Sequence, residues 1–415
     1  MPNVISSSWP LLMGVMLLMV GNGMQGTLLG IRGTIEGFST FELSIVMSAY
    51  FAGFLLGSLT VPDMIRRVGH VRVFAALGSA ISAVLVVYPV APDWTVWAAL
   101  RVLIGFSFCG VYITAESWLN NTATNETRGQ ALSAYMIVQM IGIISAQILM
   151  NVASPESFTL FVIPSVLVSL AFMPILLTVT QTPTFETNKR LSFPKLWRIS
   201  PLGCIGMLLT GGIFSAMFGM ASVWGAKSGL SVQQISIFVG AMYVGGLILQ
   251  YPIGWLSDRR DRRGLILWLA AAASVVMALA TVFPVHFIGL IVVAMLLGGI
   301  ANPLYSLLIA YTNDFLTKDD MAAASSGMLF LNGLGAIFGP LLTGWLMEGI
   351  GPRGFFLFIG LNFLGLALYA GWRMTRRAAP GVTGAYAAVA PTASALAVGA
   401  VMEEADTGEP SLPQP

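Results

Sequence analysis

GWLSDRRDRR, residues 254–263, sets six charged side chains within ten residues of a 415-residue chain in which 9% of residues are charged. Long apolar stretches flank it on both sides. A second charged segment, PDMIRRVGHVR at residues 62–72, interrupts the sequence at the corresponding place in the first half, after two long apolar runs. The two stretches mark an internal duplication. The chain reads as two halves built to one plan, each with a cluster of charge between its second and third apolar runs.

Hydrophobic residues make up 56% of the chain and the mean hydropathy is +0.83, too apolar for a protein that presents its surface to water. The chain is an integral membrane protein, with the lipid bilayer as its surroundings. The formal net charge is +2, and the basic excess is confined to certain loops, which speaks to topology and not to a nucleic-acid partner. Cys109 and Cys204 both fall in apolar runs without metal-ligand spacing, so neither a disulfide framework nor a metal or other cofactor is expected. The opening MPNVISSSWPLL lacks a basic leader region and a small-residue cleavage site, so its apolar run is expected to be a retained span.

A hydrocarbon core about 30 Å thick takes roughly 20 helical residues. Twelve such runs are expected, at 9–31, 42–65, 71–91, 94–119, 128–153, 157–180, 201–226, 231–256, 264–284, 286–312, 321–348 and 353–375. They are continuously apolar, which calls for helices that satisfy their own backbone groups. With the N-terminus in the cytoplasm, that side receives sixteen of the twenty Lys and Arg residues, against Arg32, Lys227 and Arg353 outside and Arg101 within a span. Both termini are therefore expected to be cytoplasmic. The loop QTPTFETNKRLSFPKLWRIS divides the spans six and six, giving an N-terminal bundle at 1–180, a cytoplasmic linker at 181–200 and a C-terminal bundle at 201–376. The Ala-, Pro- and Gly-rich stretch at 377–415 ends acidic and is expected to be a disordered cytoplasmic tail.

The charged loop resembles the signature of the major facilitator superfamily, roughly G-x-L-x-D-R-x-G-R-R. Gly254, Leu256, Asp258, Arg259, Arg262 and Arg263 fit it, while Asp261 stands where a second glycine is usual. In the first half Arg67 and Gly69 fit, but Pro62 replaces the leading glycine and Arg66 the aspartate. RVLIGFSFCG in the fourth span and GAIFGPLLTG in the eleventh resemble further motifs of the family. TAESWLNNTATNETRGQALSAYMIV and LQYPIGWLSD look most like its YcaD-type carriers, a bacterial branch. Over residues 9–375 the resemblance implies an all-α membrane protein of major facilitator type, twelve transmembrane helices in two six-helix bundles, acting as a secondary transporter in the bacterial inner membrane.

A carrier that exposes its site to one side at a time needs a latch that closes and reopens, and ion pairs of about 0.2–1 kcal/mol each suit that task. Asp258 and Arg259, helped by Arg262, are expected to pair across the bundles or to cap helix ends. The plainer alternative is that these arginines only anchor the loop, although Asp258 has no use in pure anchoring. Glu116 resembles the acidic residue that family members place ahead of an Arg-Gly pair. Its partner is Arg128 on one reading and Arg66 with Arg67 on the other, and a solvated carboxylate is the third possibility.

Arg101 is the one basic residue well within a span, where a cation costs about 3 kcal/mol unless it faces a wet cavity or a partner. At 100° per residue, Arg101, Gly105, Cys109, Tyr112 and Glu116 fall within about 80° of one another. The family resemblance implies that spans one, four, seven and ten line the transport route. Asn22 and Gln25 share a face of the first span, and Asn302 and Tyr305 share one on the tenth beside Pro303. The seventh offers Thr210, Phe214, Met217, Ala221 and Trp224 as one stripe, while Gln139 and Asn332 come from spans five and eleven. Asn, Gln and aromatic side chains serve equally as helix packing in membranes, so each has a structural alternative.

The substrate-binding residues expected from this reading are Asn22, Gln25, Arg101, Tyr112, Gln139, Phe214, Trp224, Asn302, Tyr305 and Asn332. No Asp or Glu falls near the middle of a span, which favours a neutral or anionic small-molecule substrate. Amide edges, one cation and aromatic faces suit a planar heterocycle, and riboflavin uptake is the leading expectation through the bacterial branch. Efflux of amphipathic compounds is the first alternative. An enzyme or receptor is the second, opposed by the lack of a nucleophile-base pair, metal cluster or phosphate loop. A monomer is expected.

Overall fold

The computed structural model of the protein describes residues 2–122, 128–176, 193–316, 318–376, 386–389 and 398, and the regular elements among them are all helical. The first half comprises α1 (Pro2–Ile35), α2 (Thr40–Val68), α3 (His70–Val87), α4 (Trp94–Thr122), α5 (Arg128–Leu149) and α6 (Thr159–Leu176). A short helix, α7 (Phe193–Ile199), precedes the second half: α8 (Pro201–Ser215), a π-helical turn (Ala216–Met220), α9 (Ala221–Lys227), α10 (Val232–Ser257), α11 (Arg262–Val282), α12 (Phe287–Asn313), α13 (Lys318–Ile350) and α14 (Gly354–Met374). Among the described residues eleven spans are long and apolar enough to cross a membrane, the sixth of them running from α8 through α9, and α6, ahead of it, supplies a shorter apolar run at Thr159–Pro174, which makes the α8–α9 span the seventh of twelve.

The duplication is visible in the packing. In each half the second span lies on the fourth, the first on the fifth and the third on the sixth: α2 on α4, α1 on α5 and α3 on α6, then α10 on α12, α8 on α13 and α11 on α14. It is visible again in the turn between the first two spans of each half. Gly37 and Gly229 take positive φ angles of 85° and 76°, a conformation that commonly ends a helix and that glycine adopts without strain. Phe38 N then donates to Gly33 O, and Leu230 N to Gly225 O, both at 3.0 Å. Ser39 with Glu42, and Ser231 with Gln234, form capping boxes that start the next helix. GFSTFELS and GLSVQQIS are thus one turn written twice.

Water cannot drive helices together inside lipid, so close backbone approach has to. A methyl group added at Gly53 would overlap the carbonyl oxygen of Val102, and one at Gly105 would overlap that of Tyr50. Gly245 and Gly298 stand in the same reciprocal relation to Met295 and Met242 between α10 and α12. Each glycine lets the partner's backbone occupy the place its own side chain would fill.

The halves meet through α2 on α13, α1 on α9 and α5 on α10. Among the described residues, three hydrogen bonds join them away from the arginine-rich loops: Ser48 Oγ donates to Ile337 O at 2.5 Å, Ser222 Oγ to Gly26 O at 3.5 Å and Lys227 Nζ to Phe38 O at 3.3 Å. The end carrying residues 62–72 and 254–263 is called the arginine end below.

Three details depart from the sequence reading. The first helix begins at Pro2, seven residues before the expected span. The linker contains α7, whose Lys195 Nζ reaches Asp320 Oδ2 of α13 at 2.9 Å. The seventh span is interrupted by the π-turn, which adds a residue to one turn and shifts every later side chain around the axis. Residues 181–192, Lys189 and Arg190 among them, and most of the tail from Arg377 onward lie outside the described residues.

Gly105→Leu is expected to destabilise the detergent-solubilised protein by about 1–3 kcal/mol, the usual cost of overpacking, read as a fall in unfolding temperature. Gly349→Ala, where an added methyl meets nothing within 4 Å, should leave that temperature unchanged.

Candidate functional site

A cavity lies between the halves. From the first half it is lined by Asn22 and Gln25 of α1, Tyr50, Phe51 and Phe54 of α2, Arg101 and Tyr112 of α4, and Gln139, Met140 and Gln147 of α5. The second half supplies Phe214, Phe218, Val239, Tyr243, Asn302 and Asn332. Eight of the ten expected substrate-binding residues are therefore brought together.

The polar wall is one connected network. Arg101 is 3% exposed and its Nη1 donates to Gln25 Oε1 at 2.8 Å. Gln25 Nε2 donates to Asn22 Oδ1 at 3.1 Å, and Asn22 Nδ2 to the Tyr112 hydroxyl at 2.9 Å. The guanidinium lies 4.8 Å from the centre of the Tyr50 ring, a cation–π contact. Arg101 is thus held by an amide and an aromatic face. Arg101 Nε and Gln139 Nε2 are buried donors with no acceptor among the described residues. Gln147 is occupied, accepting from Thr27 Oγ1 at 3.1 Å and donating to Gly23 O at 3.3 Å.

The facing wall is aromatic. Phe214 and Phe218 stack with centroids 6.0 Å apart, and Phe218 stacks on Tyr243 at 4.7 Å. Asn302 Nδ2 turns back to Gly298 O of its own helix at 2.9 Å, while Asn332 Nδ2 reaches Met207 O at 3.2 Å and ties α13 to α8 at the cavity edge.

Two expected residues stand elsewhere. Trp224 packs against Phe238, Phe355 and Phe356 inside the second half, because the π-turn breaks the stripe that joined it to Phe214. Phe218, within the turn, lines the cavity and Ser222, past it, faces the first half, while Trp224 turns inward. Tyr305 lies behind the wall, edge-on to Phe214 at 5.9 Å. Sequence reasoning missed Tyr50, Phe54, Phe218 and Tyr243. Tyr50 and Phe54 are one helical turn apart on α2, a signal that was present but lay on a span not counted among those lining the route.

At the arginine end the charges are largely spoken for within the second half. Arg262 is buried, and its Nη1 meets Asp314 Oδ1 of α12 at 2.5 Å, the aspartate being buried as well. Asp258 lies 3.8 Å from Arg262 and accepts a hydrogen bond from the backbone N–H of Tyr386 at 2.8 Å. Arg259 bonds to Trp255 O at 3.1 Å and stacks on that indole at 4.2 Å. Asp261, in the place of the usual glycine, caps α11 by accepting from Arg263 N at 3.0 Å. Hydrogen bonding from the Arg263 side chain holds its carboxyl below the ordinary range.

In the first half Arg66 pairs with Asp63, one turn before it, and Arg67 is exposed. Glu116 is 1% exposed and accepts from the Tyr135 hydroxyl at 3.1 Å, so it is a buried acceptor and not a solvated carboxylate. The side chain of Arg128 lies outside the described residues.

Paired helical halves, a cavity between them and a charged loop repeated at one end define a membrane carrier. The pattern described as Major Facilitator Superfamily matches residues 11–231 and again 202–402. The chain belongs to that superfamily, whose members are transporters of small solutes. It is similar to the uncharacterized MFS-type transporter YcaD of Escherichia fergusonii, 24% identical over 355 residues covering 84% of this chain and 91% of the relative. The YcaD of Escherichia coli O6:K15:H31 is 26% identical over 363 residues with the same coverage. Among solved structures, a nucleoside transporter NupG mutant superposes with a TM-score of 0.76 at 16% identity, covering 88% of this chain and 99% of that one. A bacterial homolog of the human lysosomal transporter Spinster, inward-facing and occupied, gives 0.70 at 14% identity, covering 88% and 96%.

Removing one partner of a buried ion pair leaves the other charge uncompensated, at a cost of about 3–5 kcal/mol. Asp314→Asn is accordingly expected to lower the unfolding temperature markedly. Asp63→Asn, whose partner is exposed, should change it little.

Proposed function

We propose that the chain moves a planar, polar-edged organic solute across the bacterial inner membrane by alternating access, and that riboflavin uptake is its activity. The arginine end is taken as cytoplasmic on the distribution of Lys and Arg, and the working unit as a monomer without catalytic activity. The observation that carries the reading is the contrast between the two cavity walls. One holds buried donors, Arg101 Nε and Gln139 Nε2, that have no acceptor among the described residues. A buried donor left unpaired costs about 1–3 kcal/mol, which a substrate carbonyl or ring nitrogen would recover. The other wall is the stack of Phe214, Phe218 and Tyr243, a surface for the face of a ring.

Together the walls match a heterocycle with acceptors along one edge, and the dione edge of a flavin is of that kind. Asp258, Arg259 and Arg262, with Arg66, Arg67, Glu116 and Arg128 in the first half, serve the closing of the cytoplasmic side in this reading. Efflux of amphipathic compounds is the second reading, favoured by Met136, Met140, Ile143 and Leu329 in the same lining.

The test is uptake of labelled riboflavin by riboflavin-auxotrophic cells expressing the chain, against empty vector, with and without a protonophore. Saturable uptake suppressed by unlabelled flavin is expected, and Arg101→Ala should raise the apparent KM about 10- to 100-fold, the worth of a hydrogen bond to a charged group. No uptake by verified, inserted protein would remove riboflavin and turn the search to efflux of amphipathic compounds.

A further inference from the structure

The segment Tyr386–Val389 belongs to the stretch that composition marks as a disordered tail, yet it lies against the second half at the arginine end. Tyr386 N donates to Asp258 Oδ1 at 2.8 Å, and Gln250 Nε2 donates to the Tyr386 hydroxyl at 2.8 Å. Val389 N donates to Ser306 Oγ at 3.0 Å, and Ser306 Oγ donates to Val389 O at 3.2 Å. Ala387 and Val389 are buried, at 8% and 4% exposure. The Tyr386 ring fills the place of a side chain at Gly254, where an added methyl would come within 2.6 Å of it. Two main-chain N–H groups, one carbonyl and one hydroxyl of a four-residue segment are thus bonded by side chains of α10, its capping residue Asp258, and α12.

The position of this groove gives it a consequence. Ser306 is one turn beyond Asn302, which lines the cavity, and the two share a face of α12. On α10, Gln250 and Gly254 fall within about 40° of the cavity-lining Tyr243 at 100° per residue. The segment therefore lies on the continuation of the cavity walls toward the arginine end, along the path by which that end must close. The span from Arg376 to Tyr386 reaches at most about 35 Å, short enough to keep the segment near its groove at a high effective concentration. The segment also holds Asp258, the acidic residue of the repeated loop, on a backbone N–H.

We propose that α10 and α12 form a peptide-binding groove whose occupant is the chain's own Tyr386–Val389, and that the seated segment wedges the arginine end open, so that closure requires its release. Because the bound segment occupies the mouth, closure and docking compete, and any factor that withdraws the tail favours the closed arrangement.

The test needs no substrate, so its failure is distinct from failure of the riboflavin reading. In a full-length chain with Cys109 and Cys204 replaced by alanine, Gly254→Cys with Tyr386→Cys, where a Cβ at Gly254 would lie 3.6 Å from Tyr386 Cγ, is expected to form an intramolecular disulfide under mild oxidation. Gly349→Cys with Tyr386→Cys, at opposite ends of the molecule, is not. Absence of the first crosslink overturns the groove. Spin labels at Val68→Cys and Arg260→Cys then report the separation of the two halves by electron–electron resonance. Truncation after Arg376, or Tyr386→Ala with Val389→Gly, should raise the short-distance population about fivefold, the weight of roughly one net hydrogen bond. Distance distributions identical with and without the tail overturn the wedge.

Discussion

The fold depends on backbone touching backbone. In a bilayer the lipid is as apolar as the side chains, so two helices gain by association only what close contact adds. At Gly53 with Val102, Gly105 with Tyr50, Gly245 with Met295 and Gly298 with Met242, the absence of a side chain brings the second and fourth spans of each half into direct contact. These crossings set where Tyr50 and Arg101 stand in the first half and where Tyr243 and Asn302 stand in the second. The cavity lining follows from them, since each of those residues lies within a turn of a contact glycine.

Much of this was legible in the sequence, for physical reasons that also mark where legibility stopped. Length and apolarity give helical spans directly, and the repeated charged loop gives two halves. The polar residues of the cavity could be found because a bilayer makes each buried amide or cation conspicuous: Asn22, Gln25, Arg101 and Gln139 stand out against their neighbours. Aromatic residues do not stand out, being at home in lipid, in packing and in a binding wall alike, so Tyr50, Phe218 and Tyr243 went unmarked. Trp224 was misplaced because a fixed 100° step assumes an uninterrupted α-helix. A single π-turn has no strong sequence signature, and it rotated the rest of that span away from the cavity.

The charged loop teaches a different lesson. Six charges in ten residues suggest a reserve available to a gate, yet Asp261 is engaged as a helix cap, Arg263 bonds back to it and Arg262 is sunk against Asp314. Sequence motifs describe which residues are present and not which are already committed to local structure. Asp261 in place of glycine is intelligible on this basis, since a carboxylate at the start of α11 satisfies a backbone N–H that a glycine would leave to water.

The Arg262–Asp314 pair joins positions 52 residues apart into one heritable unit. Both side chains are buried, and the longer contact of Arg262 with the partly exposed Asp258 replaces little of what the pair supplies, so loss of either member is costly, while replacement of both by apolar residues would not carry that penalty. Among related chains the two positions should therefore drift together or not at all. That makes them a covariation marker by which the folding of this loop can be traced through lineages whose gates and substrates have diverged.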